Sequence, residues 1–117
     1  MILTLIQASN ASVNGSFEAS VTPSVFNELV TNGSYITPFF EVETQNEVGS
    51  VEYEWSVDSG DFPVSIDGQG TNRVRLSMSA VNLFVNITLK CKAIDTGNSN
   101  NEADSSAIIN LKFGENL

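Results

Sequence analysis

The chain has no histidine, a single cysteine, and no lysine or arginine before position 73. Without histidine, the commonest general base and the commonest metal ligand are both missing, and an ordinary catalytic triad cannot be built. With Cys91 alone, no internal disulfide can form, so folding does not depend on an oxidising compartment. Five bases against fourteen acids leave a net charge of −9. That is the wrong sign for neutralising phosphates or docking on an anionic membrane, so neither nucleic acid nor membrane is expected as a partner. Long apolar runs are absent too. The opening run, Met1 to Ile6, falls far short of the ~18 residues of a membrane helix, and no basic flank precedes it as in a secretory signal. Ile2 to Ile6 therefore reads as a first strand, and a chain of this kind is expected to be finished in a cytoplasm.

What is present is alternation. Val51, Tyr53, Trp55 and Val57 fall on one side of an extended segment, and Glu52, Glu54 and Ser56 on the other. Trp55 is the only tryptophan and the largest apolar group available to a core. The same period of two recurs at Phe17–Val21, Tyr35–Thr44, Phe62–Ile66, Val74–Met78, Val85–Ala93 and Ala107–Phe113. Turn-forming clusters separate these runs, among them Gln45–Gly49, Asp58–Asp61, Asp67–Gly70 and a long polar hairpin loop over Asp95–Asp104. Pro38 interrupts its strand and predicts an edge or a bulge. Thr22-Pro23, followed by Val25, Leu29 and Val30, leaves room for one short helix near 23–30. The pattern predicts an all-β, immunoglobulin-like antiparallel β-sandwich of seven to eight strands. At 117 residues it is read as a single domain over 1–117, with N-terminal strands and a crossover in 1–33 and the sandwich core in 34–113.

Charge supports a pairing scheme. Residues 1–72 hold ten acids and no base, whereas residues 73–117 hold all five bases and four acids. Immunoglobulin-type order sets the Trp strand beside the cysteine strand. Outward Glu52 and Glu54 then face Lys90 and Lys92, and Glu41 and Glu43 face Arg73 and Arg75. Trp55 and Cys91, with Tyr53 and Leu89, are the expected centre of the core.

The stretch from Val51 through Asp95, V-E-Y-E-W-S-V-D-S-G-D, then V-S-I, V-R-L-S and I-T-L-K-C-K-A-I-D-T-G-N, resembles the immunoglobulin-like or PKD-like modules of bacteriophage virion proteins and bacterial surface proteins. The first cysteine of an antibody-type domain is missing, with Phe40 or Val42 in its place. The tyrosine corner is missing too, with Leu89 there. The resemblance implies a non-enzymatic viral structural protein. A small capsid decoration (cement) protein is the first expectation, made in the host cytoplasm and located in the virion. Other virion proteins, the major capsid protein first, would be its partners, alongside homo-oligomerisation. A tail or fibre component, or a module binding host-surface glycans through Tyr35, Phe39 or Phe62, is the alternative. No cofactor is implied.

Other chemistry is thin. Asp58 and Asp61 lie in a turn signature, where Asp and Gly serve backbone geometry. Calcium is the one ion worth weighing, because Asp58, Asp61, Asp67, Asp95, Glu102 and Asp104 are all expected in loops; the 95–104 segment nonetheless departs from the EF-hand pattern. For contact surfaces the candidates are Leu3 and Leu5, on the second face of the first strand, and Phe39 and Ile108, apolar on otherwise polar faces.

Overall fold

The computed structural model describes residues 16–115. Among the described residues nine strands run in chain order: β1 (Glu18–Thr22), β2 (Val25–Thr31), β3 (Gly33–Ile36), β4 (Phe40–Gln45), β5 (Val51–Asp58), β6 (Ser65–Asp67), β7 (Arg73–Ala80), β8 (Phe84–Asp95) and β9 (Asn101–Gly114). They form two sheets, ordered β2-β9-β8-β5 and β1-β4-β7-β3, with β6 also paired to β7. The Trp strand β5 lies beside the cysteine strand β8, and β4 beside β7, as immunoglobulin-type order requires. The expected strand Ile2–Ile6, with Leu3 and Leu5, lies outside the described residues.

The core is the alternation made solid. Val74, Leu76 and Met78 of β7, Ile87, Leu89 and Cys91 of β8, and Ile109, Leu111 and Phe113 of β9 are all buried between the sheets, together with Trp55, Phe40 and Val42. Two edge-to-face ring pairs, Phe26–Phe40 at 6.0 Å and Tyr35–Phe113 at 6.4 Å, tie one sheet to the other. Tyr53 and Val57 are half-buried on the inner face of β5.

Two expectations are corrected. No helix occupies 23–30. Val25–Thr31 is a strand running parallel to β9, in register from Val25↔Ile108 to Thr31↔Gly114. Seven residues of ladder outweigh one or two marginal helical turns, and β2 covers what would be an open edge of β9. Phe26 and Val30 turn inward, and Val25 and Leu29, the supposed helical stripe, face outward. The strands β1 and β2, within residues 18–31, stand in different sheets, and the chain crosses from one to the other between Thr22 and Val25. The loop after Asp95 is also shorter than expected: Asn101 already pairs with Asp95, so Glu102 and Asp104 are strand residues.

The charge pairing holds in part. Glu54 faces Lys92 and Glu41 faces Arg73. Glu52 instead faces Ile94, and Lys90 faces Ser56. Antiparallel register carries Glu43 away from Arg75, which bonds Asp67 of β6 at 3.0 Å.

Pro38 marks a bulge. From Ile36 to Phe40 the chain advances four residues while its partner strand moves three, from Ser77 to Val74. One residue is extra, and the inward phase shifts from Tyr35 and Thr37 to Phe40 and Val42. Ile36 is thereby turned outward, to the side opposite Phe40 and Val42. Thr37, buried, repairs the ladder: its N–H donates to the Leu76 carbonyl (2.9 Å), and its Oγ1 accepts from Leu76 N–H (3.0 Å) while donating to the Pro38 carbonyl (2.8 Å).

Candidate functional site

Among the described residues, the expected core positions lie inward, and the contact candidates Phe39 and Ile108 are exposed. Trp55, Leu89 and Cys91 are buried and Tyr53 half-buried, so none of them offers a surface. Burial, and then Asp104, pushes the Cys91 thiol up to about 11, which makes it a packed apolar group and a poor nucleophile. Burial, followed by the charges of Cys91 and Glu47, also raises Tyr53, and burial with nearby Glu28 raises Tyr35.

Trp55 lies on β5, the outermost strand of its sheet among the described residues. Its indole N–H donates to the Thr71 carbonyl (2.7 Å). Its backbone N–H donates to Gln69 Oε1 (2.7 Å), and its carbonyl accepts from Gln69 Nε2 (2.9 Å). A single side-chain amide thus takes both backbone groups that Trp55 turns away from β8.

The carboxylates weighed for calcium have separate duties. Asp67 bonds Arg75, Glu102 approaches Lys92 at 3.8 Å, and Asp58 accepts from Gly60 N–H in its turn. Asp95 has no accessible surface. Its two oxygens accept backbone N–H groups from Val48 (2.6 Å), Gly49 (2.9 Å) and Gly97 (3.1 Å). The Val48 bond first, with those of Gly49 and Gly97, holds its carboxyl below the usual range against the opposing effect of burial. Gly49 and Gly97 meet backbone to backbone: a Cβ built on Gly97 would lie 2.6 Å from Gly49 Cα. Asp95 is a staple joining the β4–β5 turn to the β8–β9 hairpin. Among the described residues no three acidic or cysteine side chains converge as a metal site would require.

Surface chemistry lies on the two outer faces. Phe39, 41% exposed, stands on the outer face of the β1-β4-β7 sheet. The Arg73 and Arg75 guanidinium carbons sit 4.0 and 5.0 Å from its ring centre. Ile108 lies on the opposite face of the molecule, so the two sequence candidates are not brought together. The Ile108 face holds more than the sequence disclosed. Across β2, β9 and β8 run three rows: Val25–Ile108–Thr88, Asn27–Asn110–Asn86 and Leu29–Lys112–Phe84. The middle row is a hydrogen-bonded ladder, with Asn110 Nδ2 donating to Asn27 Oδ1 (2.8 Å) and Asn86 Nδ2 donating to Asn110 Oδ1. On either side stand Leu29 (81% exposed), Phe84 (65%), Val25 (56%) and Ile108 (39%). Asn27, Glu28, Leu29, Phe84, Asn110 and Lys112 line a shallow concavity of about 600 Å³. A second of about 520 Å³ lies further along the same face, over the mixed charges of Glu54, Lys90, Lys92 and Asp104. The three rows depend on the parallel register of β2, which alternation within one strand does not reveal. Of the aromatic residues expected for glycans, Tyr35 packs on Phe113 and Phe62 is half-buried against the core, whereas Phe39 stays exposed with Arg73 over its ring.

No family model and no curated protein matches the chain. Among solved structures, a nucleoside hydrolase-related hypothetical protein from Saccharophagus degradans, associated with carbohydrate metabolism, is similar over 76% of this chain, at 14% identity and a TM-score of 0.50. The chain spans 22% of that protein's length, and at this identity the likeness shows the fold alone.

Proposed function

We propose that this β-sandwich is a non-enzymatic structural protein of a bacteriophage virion, decorating the capsid by bridging neighbouring subunits. The observation that carries this reading is the presence of exposed apolar side chains on both outer faces of one sandwich. Phe39 and Ile36 stand on one face; Val25, Leu29, Phe84 and Ile108 stand on the other. A bridge needs two contact surfaces on an unyielding body, and a core packed between two sheets supplies the body. The resemblance of Val51–Asp95 to virion modules supplies the setting. The acidic surface keeps a decorated particle soluble. Adhesion gains from many copies acting together, so each contact can be weak.

The test is co-sedimentation of the purified chain with empty capsids from the phage genome that encodes it, and separately with host cells. Binding to capsids, weakened by Phe39→Glu, supports decoration. Pelleting with cells alone overturns it in favour of a host-surface adhesion module, and pelleting with neither overturns both.

A further inference from the structure

We infer that the Asn27–Asn110–Asn86 face is a self-association surface, and that its occupant is a second copy of this chain stacked face to face about a two-fold axis along β9. The inference stands whether or not the opposite face meets a capsid; where it does, the bridge is a pair of copies, each holding one capsid subunit by its Phe39 face and the other copy by this one.

The ladder is directional. Asn110 spends its amide on Asn27 and its carbonyl on Asn86, and it is the middle rung. At the β2 end, the Asn27 amide makes no bond to any described side chain; at the β8 end, the Asn86 carbonyl accepts none. Each Asn carries two donors and two lone pairs, so one end of the row offers N–H and the other offers oxygen. A two-fold axis running along the central strand exchanges the two ends. It sets Asn27 of one copy over Asn86 of the other, donor against acceptor, twice. The same operation sets Leu29 of one copy over Phe84 of the other, again twice, and Ile108 over its own twin. An interface of this kind is isologous, which is what a two-fold dimer demands.

Charge points the same way. The chain carries −9, and most approaches between two copies are repulsive. The three rows and their concavity hold one base, Lys112, and one acid, Glu28. Stacking places the two Lys112 side chains near each other, but each has a Glu28 within the same concavity, and a lysine stem can lie along Leu29 with its ammonium at the rim.

The size of the face sets the affinity. Three strands about 4.8 Å apart and the five residues of each that carry the rows, at about 3.3 Å per residue, cover roughly 240 Å² per copy, or about 480 Å² for the pair. That is well below the ~1,200 Å² at which standard interfaces begin, so the dimer is weak and transient. It fills where copies are held side by side.

The experiment is sedimentation velocity with amide chemical-shift mapping on the full chain, from about 10 µM to about 2 mM, a range wide enough to fill a weak dimer. The expected result is a rise toward dimer mass, with shifts confined to Val25–Leu29, Phe84–Thr88 and Ile108–Lys112. Leu29→Lys should abolish association. Asn27→Asp, which removes the donor at an exposed site, should weaken it at least tenfold, with the far-ultraviolet circular dichroism of both variants unchanged. A chain monomeric throughout overturns the inference, as does association that both variants retain or that maps to Phe39. So does a neutral oligosaccharide that moves the same amide signals in a chain that does not dimerise.

Discussion

Replacing Gly97 by alanine should be among the most damaging single-methyl changes this chain can suffer. The new Cβ would sit 2.6 Å from both Gly49 Cα and Gly49 N, and 3.1 Å from the Val48 carbonyl carbon. All three are backbone atoms, so no side chain can swing aside. The β4–β5 turn would have to move, and it is the turn whose Val48 and Gly49 N–H groups feed the Asp95 carboxylate. Overpacking of this kind costs about 1–3 kcal/mol, and stretched bonds to a buried acceptor place the change at the upper end. With a urea m-value of about 1–2 kcal/mol/M, the unfolding midpoint should fall by about 1–2 M. Gly114→Ala is the internal comparison, since nothing lies within 4 Å of its Cβ position. Its unfolding free energy should stay within about 0.5 kcal/mol of the parent's. Equal midpoints for the two variants in matched urea melts would refute the backbone-contact argument.

Three further outcomes follow from the geometry. Asp95 has a folded pKa below its unfolded value, so its stabilisation is complete above the ordinary aspartate range of about 4 and is lost as the pH falls through the lower, folded value. Urea midpoints across that acid range should therefore drop more steeply for the parent than for Asp95→Asn, which should be less stable at neutral pH. Gln69→Ala removes two hydrogen bonds to the Trp55 backbone and should cost about 1–3 kcal/mol, with a change in tryptophan emission; Gln69→Glu, which keeps the acceptor and loses the donor, should fall between. The Cys91 thiol, raised to about 11, should resist an aromatic disulfide reagent at mildly alkaline pH and react promptly once guanidinium unfolds the chain. Prompt labelling of the folded chain would contradict its burial.

The sandwich was legible because its signal is local. Val85, Ile87, Leu89, Cys91 and Ala93 alternate without a break, and every one of them is buried. Trp55 could be named as the organising residue from composition alone. The segment 23–30 was not legible, because its state is decided by β9, some eighty residues further along the chain. Nothing within T-P-S-V-F-N-E-L-V announces a parallel partner, and a helical stripe fits it equally well. The surface was half legible for the same reason. Ile108 and Phe39 stand out as apolar residues on polar faces. Leu29, Phe84 and the asparagine row become one feature only once β2 is laid beside β9 and β9 beside β8. Asp95 was noticed as an acid in a loop. Its duty as a staple depends on two glycines 48 residues apart, which no spacing rule connects.

Gln69 carries a consequence beyond Trp55. The outer rim of β5 is an invitation to foreign strands, and midway along it a glutamine amide already sits in the place a stranger's peptide group would take. Lengthwise recruitment of new chains must first evict that amide, so growth by strand addition stalls at this point. A chain relieved of Gln69 should be measurably readier to form fibrils under agitation, even under conditions that leave it folded.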